Sequence, residues 1–71
     1  MKLDAYLRSI SPSARKRFAI KAGTTVGYLY QIAGGHRVVG AKLALDIEQA
    51  CGGQVSRNKL RPDLYPDDKA A

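Results

Sequence analysis

The stretch that decides the fold is ARKRFAIKAGTTVGYLYQIAGG, residues 14–35. Ala19 lies four residues before Gly23, and Leu29 six residues after it. Two helices that cross steeply need a small side chain where they touch, which Ala19 supplies. The tight turn between them needs a residue at ease with positive φ, which is Gly23. Leu29 then locks the second of these helices onto the first. Phe18, Ala22, Val26 and Ile32 fall on the matching inward positions. An ordinary helical hairpin also satisfies this spacing. The spacing equally predicts a helix-turn-helix over residues 15–34, which would leave the outer face of its second helix free for a DNA major groove.

Working outward, Leu3, Tyr6 and Leu7 form one stripe of a short helix over residues 2–9, with Asp4 and Arg8 as an i, i+4 pair. Ser11 followed by Pro12 is a helix start, a hydroxyl cap and then proline at the first helical position. That second helix runs to about Ala22. It turns Ala14, Phe18, Ala19 and Ala22 one way and Arg15, Lys16 and Lys21 the other, with Arg17 nearby. Thr24 and Thr25 cap a third helix, about 25–33, which Gly34 and Gly35 end. A basic loop of His36 and Arg37 leads through Val38 and Val39 to Gly40. A fourth helix, about 41–51, aligns Leu43, Ala44, Ile47 and Cys51. In QVSRNKLRPDLYPDDKAA (54–71), Ser56 can cap one turn over 57–60, and a C-terminal β-hairpin is the alternative. Pro62 and Pro66 disfavour strands and favour the helical reading. The expectation is an all-α, compact four- to five-helix domain over residues 1–66 and a disordered tail over 67–71.

A chain of 71 residues builds one small core, and self-association would help to stabilise it. Its apolar runs fall far short of the ~20 residues that span a bilayer. Without a signal-like N-terminal stretch, the expected location is cytoplasmic and nucleoid-associated. The single cysteine, Cys51, leaves no internal disulfide and no cysteine-built metal site, and is expected as a buried helical residue. His36 lacks a second histidine or nearby cysteine, so neither metal nor cofactor is expected. GTTVG lacks the lysine of a phosphate-binding loop. Asp63, Asp67 and Asp68 sit in a proline-rich tail ill suited to hold them rigidly. An enzyme is therefore not expected. The charge is informative: net +6, with eight Lys or Arg and one acid in residues 1–42, against four and five in residues 43–71. A positive field confined to one part of the molecule suits a phosphate-facing surface.

The runs GYLYQIAGGHR (27–37), IEQACGG (47–53) and VSRNKLRPDLYP (55–66) resemble the Cro and Xre-type helix-turn-helix repressor superfamily, most closely its small phage Cro and YdaS-like branch. The resemblance extends from Lys2 to Pro66. It implies a lambda-repressor-like fold and a homodimer that binds a near-palindromic operator in double-stranded DNA and represses transcription, usually from a prophage or plasmid. For the YdaS-like branch it implies instead an antitoxin-type regulator acting through a protein partner.

The resemblance places base-reading positions at Thr25, Val26, Gly27 and Gln31, with Tyr28 beside them. Gln31 is the best candidate for a bidentate contact, because its amide matches adenine N6 and N7, and the Thr25 methyl or Val26 suits a thymine methyl. Gly27 departs from the polar residue often found there, which either removes one contact or admits the backbone closer. Phosphate contacts are expected from Arg15, Lys16, His36, Arg37 and Lys42, and from the free N–H groups of Gly40 and Ala41. Tyr30 either packs toward the fourth helix or reaches a phosphate at the groove edge. Val55, Leu60, Leu64 and Tyr65 lie beyond the four-helix core. They are expected to form a dimer interface, with Val55 adding a short strand, or else to fold back on their own helices. A charge-driven nucleic-acid module without sequence preference is the competing reading. It would need stacking aromatics on an exposed sheet, and the chain has one Phe and four Tyr with little strand pattern.

Overall fold

The computed structural model describes residues 1–66; the expected tail over 67–71 lies outside the described residues. Five helices follow one another: α1 (Leu3–Ser9), α2 (Pro12–Ala22), α3 (Val26–Ala33), α4 (Ala41–Ala50) and α5 (Arg57–Leu60). No strand occurs among the described residues, so the hairpin alternative for the C-terminal segment is not realised.

Local chemistry sets the helix ends. Ser11 Oγ accepts the Ala14 N–H at 3.2 Å, with Pro12 at the first helical position, where its missing N–H costs nothing. Gly23 ends α2 with φ +76°, a left-handed conformation that resists any side chain. Its N–H donates to Ile20 O, and the Thr24 N–H donates to Ala19 O at 2.9 Å. Thr25 then caps α3, its Oγ1 accepting the Tyr28 N–H at 3.1 Å. A left-handed residue flanked by two satisfied caps fixes the angle between α2 and α3.

Packing follows from the apolar stripes. Leu7 of α1, Leu29 of α3, Ile47 of α4 and Val55 after α4 are wholly buried, each worth about 1.5–3 kcal/mol of transfer free energy. Around them lie Phe18, Ala19, Ala22, Val39 and Ala44. Tyr6 meets Phe18 edge to face, with ring centroids 5.1 Å apart. Helix α2 packs on α4, and α3 rests against both α1 and α2. Arg15 joins α1 to α2 by donating from Nε to Leu7 O at 2.6 Å, a cation on a helix C-terminal carbonyl. Among the described residues no polar or charged side chain is buried.

The segment after α4 departs most from expectation. Cys51 is buried as expected but serves as the C-cap of α4 rather than its last helical residue. Its Sγ accepts the Val55 N–H at 3.1 Å, which turns the chain back and drives Val55 into the core. Ser56, expected to cap α5 through its hydroxyl, bonds the Asn58 side chain instead. Glu48 of α4 takes over the capping role, its Oε2 accepting the Arg57 N–H at 3.2 Å.

Candidate nucleic-acid interface

Helix α3 presents two faces. Leu29 is wholly buried, and Val26, Ile32 and Ala33 pack on the core. The opposite face carries Gly27 and Gln31 one turn apart, both exposed, with exposed Thr25 at its start and Tyr30 on one flank. Tyr28 is half-buried on the other flank. Of the expected base-reading residues, Gly27 and Gln31 therefore share a solvent face, and Thr25 is exposed at the helix start. Val26 does not share that face, because its methyls serve the core. Tyr30, left open between two positions by the sequence, is exposed rather than packed against α4. Gly27 has ordinary helical φ, and a Cβ built on it would meet nothing within 4 Å. The fold itself does not ask for glycine there.

The expected phosphate contacts divide into free and engaged groups. Lys16 is exposed on the outer face of α2, beside Arg17, Lys21 and the 75% exposed Ile20. Arg15 is half-buried, and its Nε is committed to Leu7 O, leaving only its terminal nitrogens for an outside partner. Lys42 pairs with Asp46 at 3.3 Å in an exposed i, i+4 contact. His36 is exposed in the turn after α3, where its backbone N–H donates to Gln31 O at 2.8 Å. That turn brings Arg37 back alongside Gln31, and Arg37 Nε donates to Gln31 Oε1 at 3.1 Å. Among the described residues only Asp4 contributes an acid before Asp46, so neither α2 nor α3 carries a carboxylate of its own.

A group the sequence reading passed over ties down the loop that follows α3. Arg61 donates from Nη1 to Val39 O at 2.7 Å, and from Nε and Nη2 to the two oxygens of Asp63 at 3.0 and 2.8 Å. Its hydrogen bond holds the Asp63 carboxyl well below the usual carboxylate range, at about 2, despite some opposing desolvation. The same bond raises the Arg61 guanidinium. Asp63, expected to be loosely held, is thus fixed by a fork two residues away. An Arg and an Asp bracketing Pro62 were the available signal. Tyr65 adds a second tie, its hydroxyl donating to Ala41 O at 3.3 Å, while Arg57 stacks over its ring at 5.2 Å. The C-terminal segment thereby straps the loop between α3 and α4.

The residues expected at a dimer interface are dispersed by this arrangement. Val55 is wholly buried in its own subunit, so its side chain has no surface to offer a second copy. Leu60 and Tyr65 pack against the same core, as the fold-back alternative expects. Leu64 is 46% exposed, and so is not taken up by the core.

The chain is similar to the prophage transcriptional regulatory protein of Escherichia coli (strain K12), 35% identical over 66 residues that make up 93% of this chain and 100% of the relative. It belongs to that family of prophage transcriptional regulatory proteins. No family model matches the chain, and no solved structure matches it significantly. Since the match leaves at most five residues outside it, all five helices take part in what is shared with the prophage regulator. Among the described residues of this prophage-regulator family member, no helix is long and apolar enough to cross a membrane.

Proposed function

We propose that the protein is a transcriptional regulator of prophage origin that binds double-stranded DNA sequence-specifically through residues 1–66. In this reading α2, the Gly23 turn and α3 are a helix-turn-helix of the Cro and Xre type. Helix α3 enters the major groove, and Thr25, Gly27 and Gln31 face the base edges. Lys16, His36, Lys42 and the terminal nitrogens of Arg15 lie around it for the phosphates, which fix register without reading sequence. The observation that carries the proposal is the outer face of α3. It is a capped, core-locked helix presenting a bare backbone at Gly27 and an amide at Gln31, and neither it nor α2 carries an acidic residue. The name of the relative supports the same direction.

A homodimer on a near-palindromic operator follows from the symmetry such regulators need, with Leu64 as the exposed apolar side chain of the C-terminal strap. The test is selection of bound duplexes from a random DNA pool near physiological salt. Enrichment of an inverted repeat with half-sites about one helical turn apart is the expected result. Binding without enrichment would overturn sequence reading and leave a charge-driven binder. No binding at all would overturn the DNA reading and favour a protein partner.

A further inference from the structure

On the base-facing side of α3, the side chain of Gln31 already has a partner. The turn after the helix is closed by three backbone bonds: Gly34 N–H to Tyr30 O, Gly35 N–H to Ile32 O, and His36 N–H to Gln31 O. They reverse the chain so that Arg37 lies beside Gln31 and donates through Nε to its carbonyl oxygen at 3.1 Å. Among the described residues Arg37 makes no ion pair, so no carboxylate competes for its two terminal nitrogens.

This pairing changes what the site can recognise. A free glutamine amide offers one acceptor and one donor, the complement of adenine N6 and N7. With the Gln31 carbonyl committed to Arg37 Nε, what remains free is the Gln31 NH2 group and the two terminal nitrogens of Arg37. Both are donors, and the arginine is charged. Adenine and cytosine would set an amino group against them. Guanine alone presents two adjacent acceptors, O6 and N7, spaced for the two terminal nitrogens of arginine. We infer that Gln31 and Arg37 act as one unit that reads a guanine in the major groove. Arg37 makes the contact, and Gln31 holds the plane of its guanidinium. The inference rests on α3 being the groove helix. It assigns Arg37 to a base rather than to a phosphate, and it replaces adenine with guanine as the partner of this corner of the site. Pre-pairing also lowers the entropy lost when a long flexible side chain is immobilised on DNA.

The experiment starts from the operator selected by the full chain. Each guanine of a half-site is replaced in turn by 7-deazaguanine, which keeps Watson–Crick pairing and removes the N7 acceptor, and affinity is read by fluorescence anisotropy. One guanine per half-site should lose about two- to tenfold in affinity on this change, since one of the two acceptors of a bidentate contact is removed. Arg37→Ala should weaken the operator, abolish the sensitivity at that guanine and leave the other positions as they were. Gln31→Ala should keep a reduced preference for the same guanine. Both side chains are exposed, so thermal unfolding should show both variants folded. Arg37→Ala weakening operator and random duplex by the same factor would make Arg37 a phosphate clamp and overturn the inference alone. An adenine whose preference is lost on Gln31→Ala would do so too. A pool that yields no enriched sequence would overturn both this inference and the DNA-reading proposal beneath it.

Discussion

Replacing Gly27 with alanine should make the protein more stable and a weaker DNA binder. Glycine in a helix interior costs about 0.8–1 kcal/mol relative to alanine. Gly27 is the second residue of α3, where the end of the helix is partly frayed, so about 0.5 kcal/mol is the expected gain. Nothing opposes it: the backbone there is ordinary helix, and the added Cβ finds open space within 4 Å. For a domain of this size the gain corresponds to a rise in Tm of roughly 2–4 °C. On DNA the same methyl group would stand between the α3 backbone and a base edge. Overfilling a close contact costs about 1–3 kcal/mol, or about 5- to 150-fold in Kd. Thermal unfolding followed by circular dichroism and titration of the selected operator measure the two effects on one preparation. A lower Tm would mean that the backbone at position 27 is not plain helix. A higher Tm with unchanged operator affinity would mean that no partner approaches the α3 backbone there, and the reason given for this glycine would fail.

Three further perturbations separate structural from binding roles. Val55→Ala should cost about 2 kcal/mol, two buried methyl groups plus a small cavity, and should do so equally at low and high protein concentration. A loss that vanished at high concentration in urea titrations would return Val55 to a subunit interface. Arg15→Ala should destabilise the fold by about 1 kcal/mol through the lost bond to Leu7 O, whereas Arg15→Lys should restore part of that stability. Equal stability of Arg15→Ala and the parent would show that this contact contributes nothing. Asp63 titrates in the folded protein at about 2 rather than its usual 3.8, so its pairing with Arg61 favours the fold at neutral pH. That contribution fades as pH falls through this window. The urea midpoint of Asp63→Asn should therefore fall less than the parent's between those pH values, and parallel curves would refute the pairing.

Much of the fold was legible because it is written in short-range chemistry. Ser11–Pro12, Gly23 and Thr25 each act within four residues of themselves, and all three do what their chemistry predicts. The apolar spacing of Phe18, Ala19, Ala22, Leu29 and Ile47 likewise identifies the core. What the sequence hid depends on contacts between distant positions. The cap of α5 comes from Glu48, nine residues before Arg57, and not from the adjacent Ser56. Arg61 reaches Val39 across 22 residues, a separation that no periodicity records. Val55 looks like a surface valine until Cys51 accepts its N–H and turns the chain inward. At the candidate site the residue types were legible and their partners were not. Gln31 and Arg37 stand six residues apart, and only the turn between them decides that they meet.

These long-range ties have a common destination. Arg61 holds Val39 O and Tyr65 holds Ala41 O, the two carbonyls that flank Gly40 at the start of α4. The exposed groups proposed to meet DNA from this region, His36, Arg37 and Lys42, lie on either side of that point. Without the strap, the loop from Gly34 to Gly40 would be anchored inward chiefly by the buried Val39. A sequence reader loses specificity when its reading groups move relative to one another by about an ångström. The C-terminal segment thus governs how firmly the proposed reading surface is held at the start of α4. If α3 reads DNA as proposed, weakening the strap should erode discrimination between operators before it unfolds the helices, since Leu7, Leu29 and Ile47 belong to α1, α3 and α4 and not to the strap.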